Sequence, residues 1–392
     1  MSRPALSPRF AVSTIFFCLG IAFGTWAARL AEIKGHIHAS NGVLGLTLSA
    51  VTVGSLLSML FVGGAIARFG SRRMTMAGTA GMLLVLPLLA LVRTAPQLAG
   101  LLFVYGVTIA WMDVSMNTQA VLVEKQAGRS LMSGFHAWFS VGGLAGAGLS
   151  ALVATELSTA PHFALTAAAL AVLALVAAPR MIHGDAEEGH SGLQIQRVPR
   201  ALVPLAILIF CGLVGEGAAE SWSGVYLNET IEVSKRVVPA GFAAFSLMMA
   251  IGRFCGDAAR MRLGAARLVF GSGLLAAAGM GLAVLWPEPA PVIVGFGLLG
   301  LGLAPVYPSV MTAAGNSGVV RPGEAVALIG MVGWLAFLIS PPVVGGIAEA
   351  ASLRIALGVV AGVVFLVAPL AVTLRRGGRR EPAAPASATA TE

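Results

Sequence analysis

Twelve runs of about 20 mostly apolar residues, separated by short polar breaks, make up nearly all of this chain. That is the length a helix needs to cross the hydrocarbon core of a bilayer. The runs lie near 10–29, 41–66, 74–93, 97–121, 131–154 and 162–180, then 201–226, 237–259, 266–287, 290–313, 323–349 and 352–374. The composition leaves no water-soluble alternative. Apolar residues make up 57% of the 392 and charged residues 11%, where a soluble domain carries about 25% charged residues. Mean hydropathy is +0.88. Soluble enzymes, secreted scaffolds and free nucleic-acid binders are thereby excluded. The expected fold is an all-α membrane protein with 12 transmembrane helices. Its first run, preceded by Arg3 and Arg9, reads as a retained signal-anchor rather than a cleaved signal peptide.

A net charge of +8 is not a nucleic-acid signal here, because the basic residues sit at the ends of apolar runs. Of the 25, 19 fall on the side shared by both termini, and Arg29, Lys34, Arg93, Lys235, Arg236 and Arg354 on the other. The positive-inside rule places both termini in the cytoplasm. Cys18, Cys211 and Cys255 lie inside apolar runs, fit no zinc spacing, and read as small buried hydrophobes.

The polar stretch 181–200 divides six spans from six. Four units are expected: an N-terminal six-helix bundle (1–180), a cytoplasmic linker (181–200), a C-terminal six-helix bundle (201–374) and a disordered tail (375–392) rich in Ala and Pro. The two bundles echo each other. Ala67-Arg68-Phe69-Gly70-Ser71-Arg72-Arg73 follows the second span, and Met261-Arg262-Leu263-Gly264-Ala265-Ala266-Arg267 follows the eighth. A parallel duplication closing on a central cavity accounts for this.

Six plus six spans with this loop after the second resemble the major facilitator superfamily. Gly63, Arg68, Gly70, Arg72 and Arg73 fit the family's loop motif, with Ala67 where the motif has Asp. Within the family, three stretches are most similar to the fucose-permease-related branch and its YbjJ-type inner-membrane members. They are Gly24-Thr25-Trp26-Ala27-Ala28-Arg29, Asp113-Val114-Ser115-Met116-Asn117 and Phe135-His136-Ala137-Trp138-Phe139-Ser140. The resemblance implies that spans 1, 4, 7 and 10 surround the cavity and spans 3, 6, 9 and 12 lie outside. It also implies a cytoplasmic latch at the motif loop, altered here because its Asp is missing. A substrate role for the span-4 acid Asp113 follows from the same branch, whose proton-carrying span-1 Asp is absent here at Trp26-Ala27-Ala28.

An ionisable side chain inside a span is costly and by default functional. Spans 3, 6, 9 and 12 carry none in their interiors, whereas spans 1, 4 and 7 hold Arg29, Asp113, Glu216 and Glu220. Asp113 and Asn117 share a helix face, with Trp111 and Gln119 flanking. They are candidates to hold a polar solute, the alternative for Asp113 being a structural bond to a neighbouring helix. Glu216 and Glu220 are also four apart, and two such carboxylates resist ionising together. This pair, with Asp113, is the candidate proton site, although solvation at the outer end would also explain Glu220. His136, Trp138, Trp26 and Tyr307 are further candidates for the solute site, Tyr307 because Pro305 and Pro308 should kink span 10 at the cavity. Arg29 is placed to bind an anionic solute, to pair with Glu220, or to snorkel. Arg253, Asp257 and Arg260 with Glu124, and Arg68 and Arg72 in the motif loop, are candidates for a cytoplasmic gate.

No Gly-Lys-Ser/Thr loop supports an ATP engine, and no nucleophile set or metal spacing is present. The expectation is a multi-pass plasma-membrane (bacterial inner-membrane) transporter, not an enzyme. It would need no cofactor, act as a monomer and use the proton gradient to move a small polar solute such as a sugar or sugar-like metabolite. Efflux of drugs or amphipathic metabolites is the alternative.

Overall fold

The computed structural model describes residues 7–128, 131–183, 198–320 and 322–374, without the side chains at 133, 257, 322, 323 and 327. Among the described residues the regular structure is entirely helical. The first six helices are α1 (Pro8–His36), α2 (Asn41–Phe69), α3 (Ser71–Leu88), α4 (Ala95–Ala127), α5 (Met132–Val153) and α6 (Thr159–Ala177). The rest are α7 (Val203–Glu229), α8 (Ala240–Leu263), α9 (Ala265–Leu285), α10 (Pro289–Leu303), α11 (Val306–Gly315), α12 (Pro322–Ala350), α13 (Leu353–Phe365) and α14 (Val367–Leu370). Local chemistry sets the starts. Ser7, Ser40, Thr94 and Ser352 accept a bond from the backbone N–H three residues on, the usual N-cap arrangement. The expected linker is described only at 181–183 and 198–200, and the tail 375–392 lies outside the described residues.

Among the described residues ten segments are long and apolar enough to cross a membrane, against twelve expected. The two that fall short are α3 and α8. Ser71, Arg72 and Arg73 open α3 at the membrane surface, and the apolar part of α8 covers only Ala240–Gly256 before Asp257, Arg260 and Arg262. Span 10 is split at Pro305, into α10 and α11, where proline cannot donate to the helix ladder.

Packing follows one scheme twice. Helix α1 packs on α5 and α6, α2 on α4, and α3 on α4 and α6. In the second set α7 packs on α12 and α13, α8 on α10, and α9 on α10 and α13. The two sets meet through α2 with α12, α5 with α8, and α1 with α7. Glycines permit the closest approaches. A β-carbon on Gly142 or Gly146 of α5 would collide with the Phe17 or Ile21 carbonyl of α1, and one on Gly20 with that of Phe139. Of the cysteines, Cys18 and Cys211 are buried, but Cys255 is exposed, on a side of α8 that also exposes Ile251 and Phe254.

The sequence echo has a conformational counterpart. Gly70 ends α2 and opens α3 with φ 82° and ψ 150°, and Gly264 does the same between α8 and α9 with φ 76° and ψ 152°. That region is essentially closed to residues with a β-carbon, at a cost of about 1–3 kcal/mol. Gly70→Ala and Gly264→Ala should each lower the thermal midpoint of the purified protein. An unchanged midpoint in both would show that the turns relax freely.

Candidate functional site

A cavity of about 340 Å³ lies where α1, α2, α4, α5, α7, α8, α11 and α12 converge. Its polar groups come from both sets of helices. Helix α4 supplies Asp113 and Asn117, and Asn117 Nδ2 donates to Asp113 Oδ1 at 3.1 Å and to its carbonyl at 2.9 Å. Helix α7 supplies Glu216 and Glu220, α5 supplies His136, and α11 supplies Tyr307 just beyond the proline break. Helix α8 supplies Arg253. Its guanidinium donates from Nη1 to Ser140 Oγ at 2.8 Å and to the His136 carbonyl at 3.4 Å, and from Nη2 to Glu216 Oε1 at 3.5 Å. Arg253 therefore ties α5 of the first set to α7 and α8 of the second. Aromatic rings share the remaining wall with aliphatic and hydroxyl side chains: Phe23 and Trp26 from α1, Phe139 from α5, and Trp334 and Phe337 from α12.

Of the residues singled out from the sequence, Trp26, Asp113, Asn117, His136, Glu216, Glu220, Arg253 and Tyr307 line this cavity. Trp111, Gln119, Trp138 and Arg29 do not. Trp111 and Gln119 lie two and six residues from Asp113, and at about 100° per residue such offsets turn a side chain off its face. Gln119 is buried against α3 instead, donating to Ser71 Oγ at 2.6 Å and to the Ile182 carbonyl at 2.9 Å. Trp138, two residues from His136, is 43% exposed and packs edge-on to Phe17. Arg29 neither reaches Glu220 nor snorkels. It is 1% exposed and pairs with Glu32 at 2.6 Å, while donating to the Val153 and Leu157 carbonyls.

The gate expectation is redrawn. Arg253 reaches into the cavity, and Arg260 donates to Thr312 Oγ1 within its own set. Glu124 Oε1 accepts from the Leu131 and Met132 backbone N–H groups at 2.5 and 2.8 Å, bracing the start of α5. The Asp257 side chain lies outside the described residues. In the motif loop, Arg68 lies over the Phe69 ring at 5.2 Å. Arg72 donates to the Ala178 carbonyl at 2.9 Å and meets His183, both within or just beyond the first set.

Most other polar links between the sets gather at the end opposite the α1 N-terminus. Lys34 pairs with Glu229 there. Arg236 pairs with Glu156 at 2.5 Å and with Thr155 Oγ1 at 2.9 Å. Glu349 Oε2 accepts from the Gly42 N–H at 3.2 Å. Ser49 Oγ donates to the Leu338 carbonyl about two turns deeper, at 3.3 Å. Sequence reasoning missed these links because each joins loops or helix ends far apart in the chain. It also missed Trp334 and Phe337, whose spacing suits a lipid-facing stripe equally well.

A cavity between two repeated sets of membrane helices, polar on both walls and with links between the sets gathered toward one end, suits carriage of a solute across the bilayer. Comparison with known proteins agrees. The sequence profile of the Major Facilitator Superfamily matches residues 11–319. An uncharacterised MFS-type transporter of Yersinia pestis is 35% identical, covering 95% of this chain and 97% of its own. The membrane protein MosC of Rhizobium meliloti is 32% identical, with 95% and 92% covered. A solved structure of the nucleoside transporter NupG superposes with a TM-score of 0.76 at 13% identity, covering 94% of this chain and all of that one. The chain belongs to the major facilitator superfamily: it is a multi-pass membrane transporter and not an enzyme.

Proposed function

We propose that the chain is a monomeric, proton-coupled transporter of a small polar solute, a sugar or sugar-like metabolite, working by alternating access in the bacterial inner membrane. On this reading it belongs to the fucose-permease-related branch. Its two bundles, 1–180 and 201–374, rock about the cavity. The observation that carries this is the facing of unlike polar walls across one cavity. An acid–amide pair on α4 stands on one side, and two acids with a guanidinium on α7 and α8 stand on the other. Asp113 and Asn117 offer acceptors and a donor to solute hydroxyls, while the rings of Trp26 and Phe337 suit the apolar face of a sugar. Glu216 and Glu220 supply carboxylates that can take and release a proton without any cofactor. The positive-inside rule directs the α1 N-terminus to the cytoplasm, so the links at the opposite end describe an inward-facing state.

Proteoliposomes with an imposed pH gradient test the proposal. Solutes including fucose, glucose and a nucleoside are supplied outside, and proton entry is followed with an internal dye. The wild type should couple one class of solute to proton entry. Asp113→Asn should fold normally and lose both fluxes, and full transport by that variant overturns the assignment. The aromatic share of the wall favours one second reading, export of amphipathic compounds. That reading expects overproduction to raise drug tolerance and not to support growth on a sole carbon source.

A further inference from the structure

The polar groups of the cavity are not evenly partnered. Asp113 holds Asn117 and Glu216 holds Arg253. Glu220 alone among the three cavity acids has no hydrogen-bond or ion-pair partner among the described residues, although it lines the same cavity. Its charged neighbours cannot serve it. Glu216 is a like charge on the same helix face, and Arg253 is already engaged by Glu216, Ser140 and the His136 carbonyl. The other helices around it line the cavity with rings, aliphatic groups and the Thr52 hydroxyl, and bring no further cation than Arg253 among the described residues. Gly224, one turn beyond Glu220, lies beside the Ala27 carbonyl of α1, so Glu220 sits level with Phe23 and Trp26. Gly217, on the near side, lies against the Phe337 ring of α12.

A partnerless carboxylate among tryptophan and phenylalanine faces is the chemistry that selects an ammonium group. The carboxylate accepts its N–H bonds, and aromatic faces attract the cation where carbonyl or hydroxyl groups would gain little. The cavity as a whole points the same way: even with a proton held by one of Glu216 and Glu220, its remaining carboxylates outnumber its one guanidinium. An anionic solute would add to that excess. A neutral solute would satisfy the Asp113–Asn117 wall and leave Glu220 unpaired.

We infer that the solute carries a protonated amine, which Glu220 receives beside Trp26 and Phe337 while Asp113 and Asn117 hold its hydroxyl or other polar groups. The inference rests on the polar-solute reading of the cavity and narrows it. Glu220 is thereby the residue that sets specificity for charge.

Matched probes read this out directly. Purified full-length protein in nanodiscs is titrated with glucosamine, glucose and glucuronate, and with ethanolamine and ethylene glycol as an amine and its neutral counterpart lacking a sugar ring, following the thermal midpoint. A compound that binds only the folded state raises the midpoint by mass action. At least one amine should bind roughly ten- to a hundredfold more tightly than its neutral counterpart, the range that one hydrogen bond to a charged group commands. Glucuronate should give no shift. Glu220→Gln, whose own midpoint reports that it folds, should bring the amine down to the level of the neutral compound. Equal protection by glucose and glucosamine, retained in Glu220→Gln, overturns the inference and leaves the polar-solute reading standing. Failure of every amine to protect the wild type overturns it as well. The broader reading fails separately, when Asp113→Asn transports like the wild type.

Discussion

Replacing Arg253 by methionine is expected to stop transport and to lower the thermal midpoint at the same time. The guanidinium does three things that methionine cannot. It balances Glu216 at 3.5 Å, satisfies Ser140 Oγ at 2.8 Å, and links α5 to α7 and α8 across the cavity. Removing one partner of a buried pair costs about 3–5 kcal/mol, because the other charge stays behind. The Arg253 and Glu216 side chains retain 14% and 13% exposure, so the lower end, about 3 kcal/mol, is the expectation. A difference of that size between access states is roughly a hundredfold in their ratio. Arg253→Lys keeps the charge and loses the fork, so it should recover stability more fully than transport. The double variant Arg253→Met with Glu216→Gln removes both charges and should fold better than Arg253→Met alone, yet remain uncoupled. Uptake and proton entry in proteoliposomes, measured beside the midpoint, check all three. Wild-type flux in Arg253→Met would reduce this residue to an ordinary lining charge.

Arg253 also marks where the sequence was legible and where it was not. Its position near the inner end of an apolar run made it a candidate for a cytoplasmic gate, but positive-inside charge explains most such arginines, and only the fold turns it into the cavity. Acids inside spans were easier to read. Lipid makes them expensive, so Asp113, Glu216 and Glu220 could hardly face outward, and all three line the cavity. Helical geometry corrected the neighbours: Asn117 at i+4 joins Asp113, while Trp111 at i−2 turns away. Apolar lining stayed hidden for a physical reason. Phe337 in α12 and a phenylalanine facing lipid have the same hydropathy, and only packing across helices tells them apart. Arg29 failed as a cavity residue because its partners, Glu32 and the carbonyls of Val153 and Leu157 at and beyond the end of α5, engage it inside the first set. The kink in span 10 was legible from Pro305 and Pro308, but not that it would become a break, since α12 runs unbroken through Pro341 and Pro342.

The end opposite the termini should open when its charges are made to repel. Lys34 faces Glu229, and Arg236 faces Glu156, each pair joining the two sets of helices. Lys34→Glu together with Arg236→Glu turns both attractions into repulsions. Exposed pairs contribute about 0.2–1 kcal/mol each, and the Lys34 side chain, 8% exposed, places its pair above that middle. Losing two attractions and adding two repulsions amounts to about 2–3 kcal/mol, some thirty- to a hundredfold in the ratio of access states. The measurement is labelling of Thr52→Cys, a cavity-lining position on α2, by an impermeant maleimide applied to intact cells. Cys18, Cys211 and Cys255 are replaced beforehand. Labelling should be slow with the native charges and rise at least tenfold in the repelling variant. Adding Glu229→Lys and Glu156→Arg restores attraction with the signs exchanged and should return labelling to its slow rate. Acid should act in the same direction as the repelling variant. The Thr155 hydroxyl and Arg236 hold the Glu156 carboxyl below its ordinary range. Its pair therefore persists at neutral pH and is lost only as pH falls through that depressed value. Labelling that ignores both the charge reversals and their compensation would show that packing of α2 on α12, with the Gly42–Glu349 and Ser49–Leu338 bonds, closes this end without help from ion pairs.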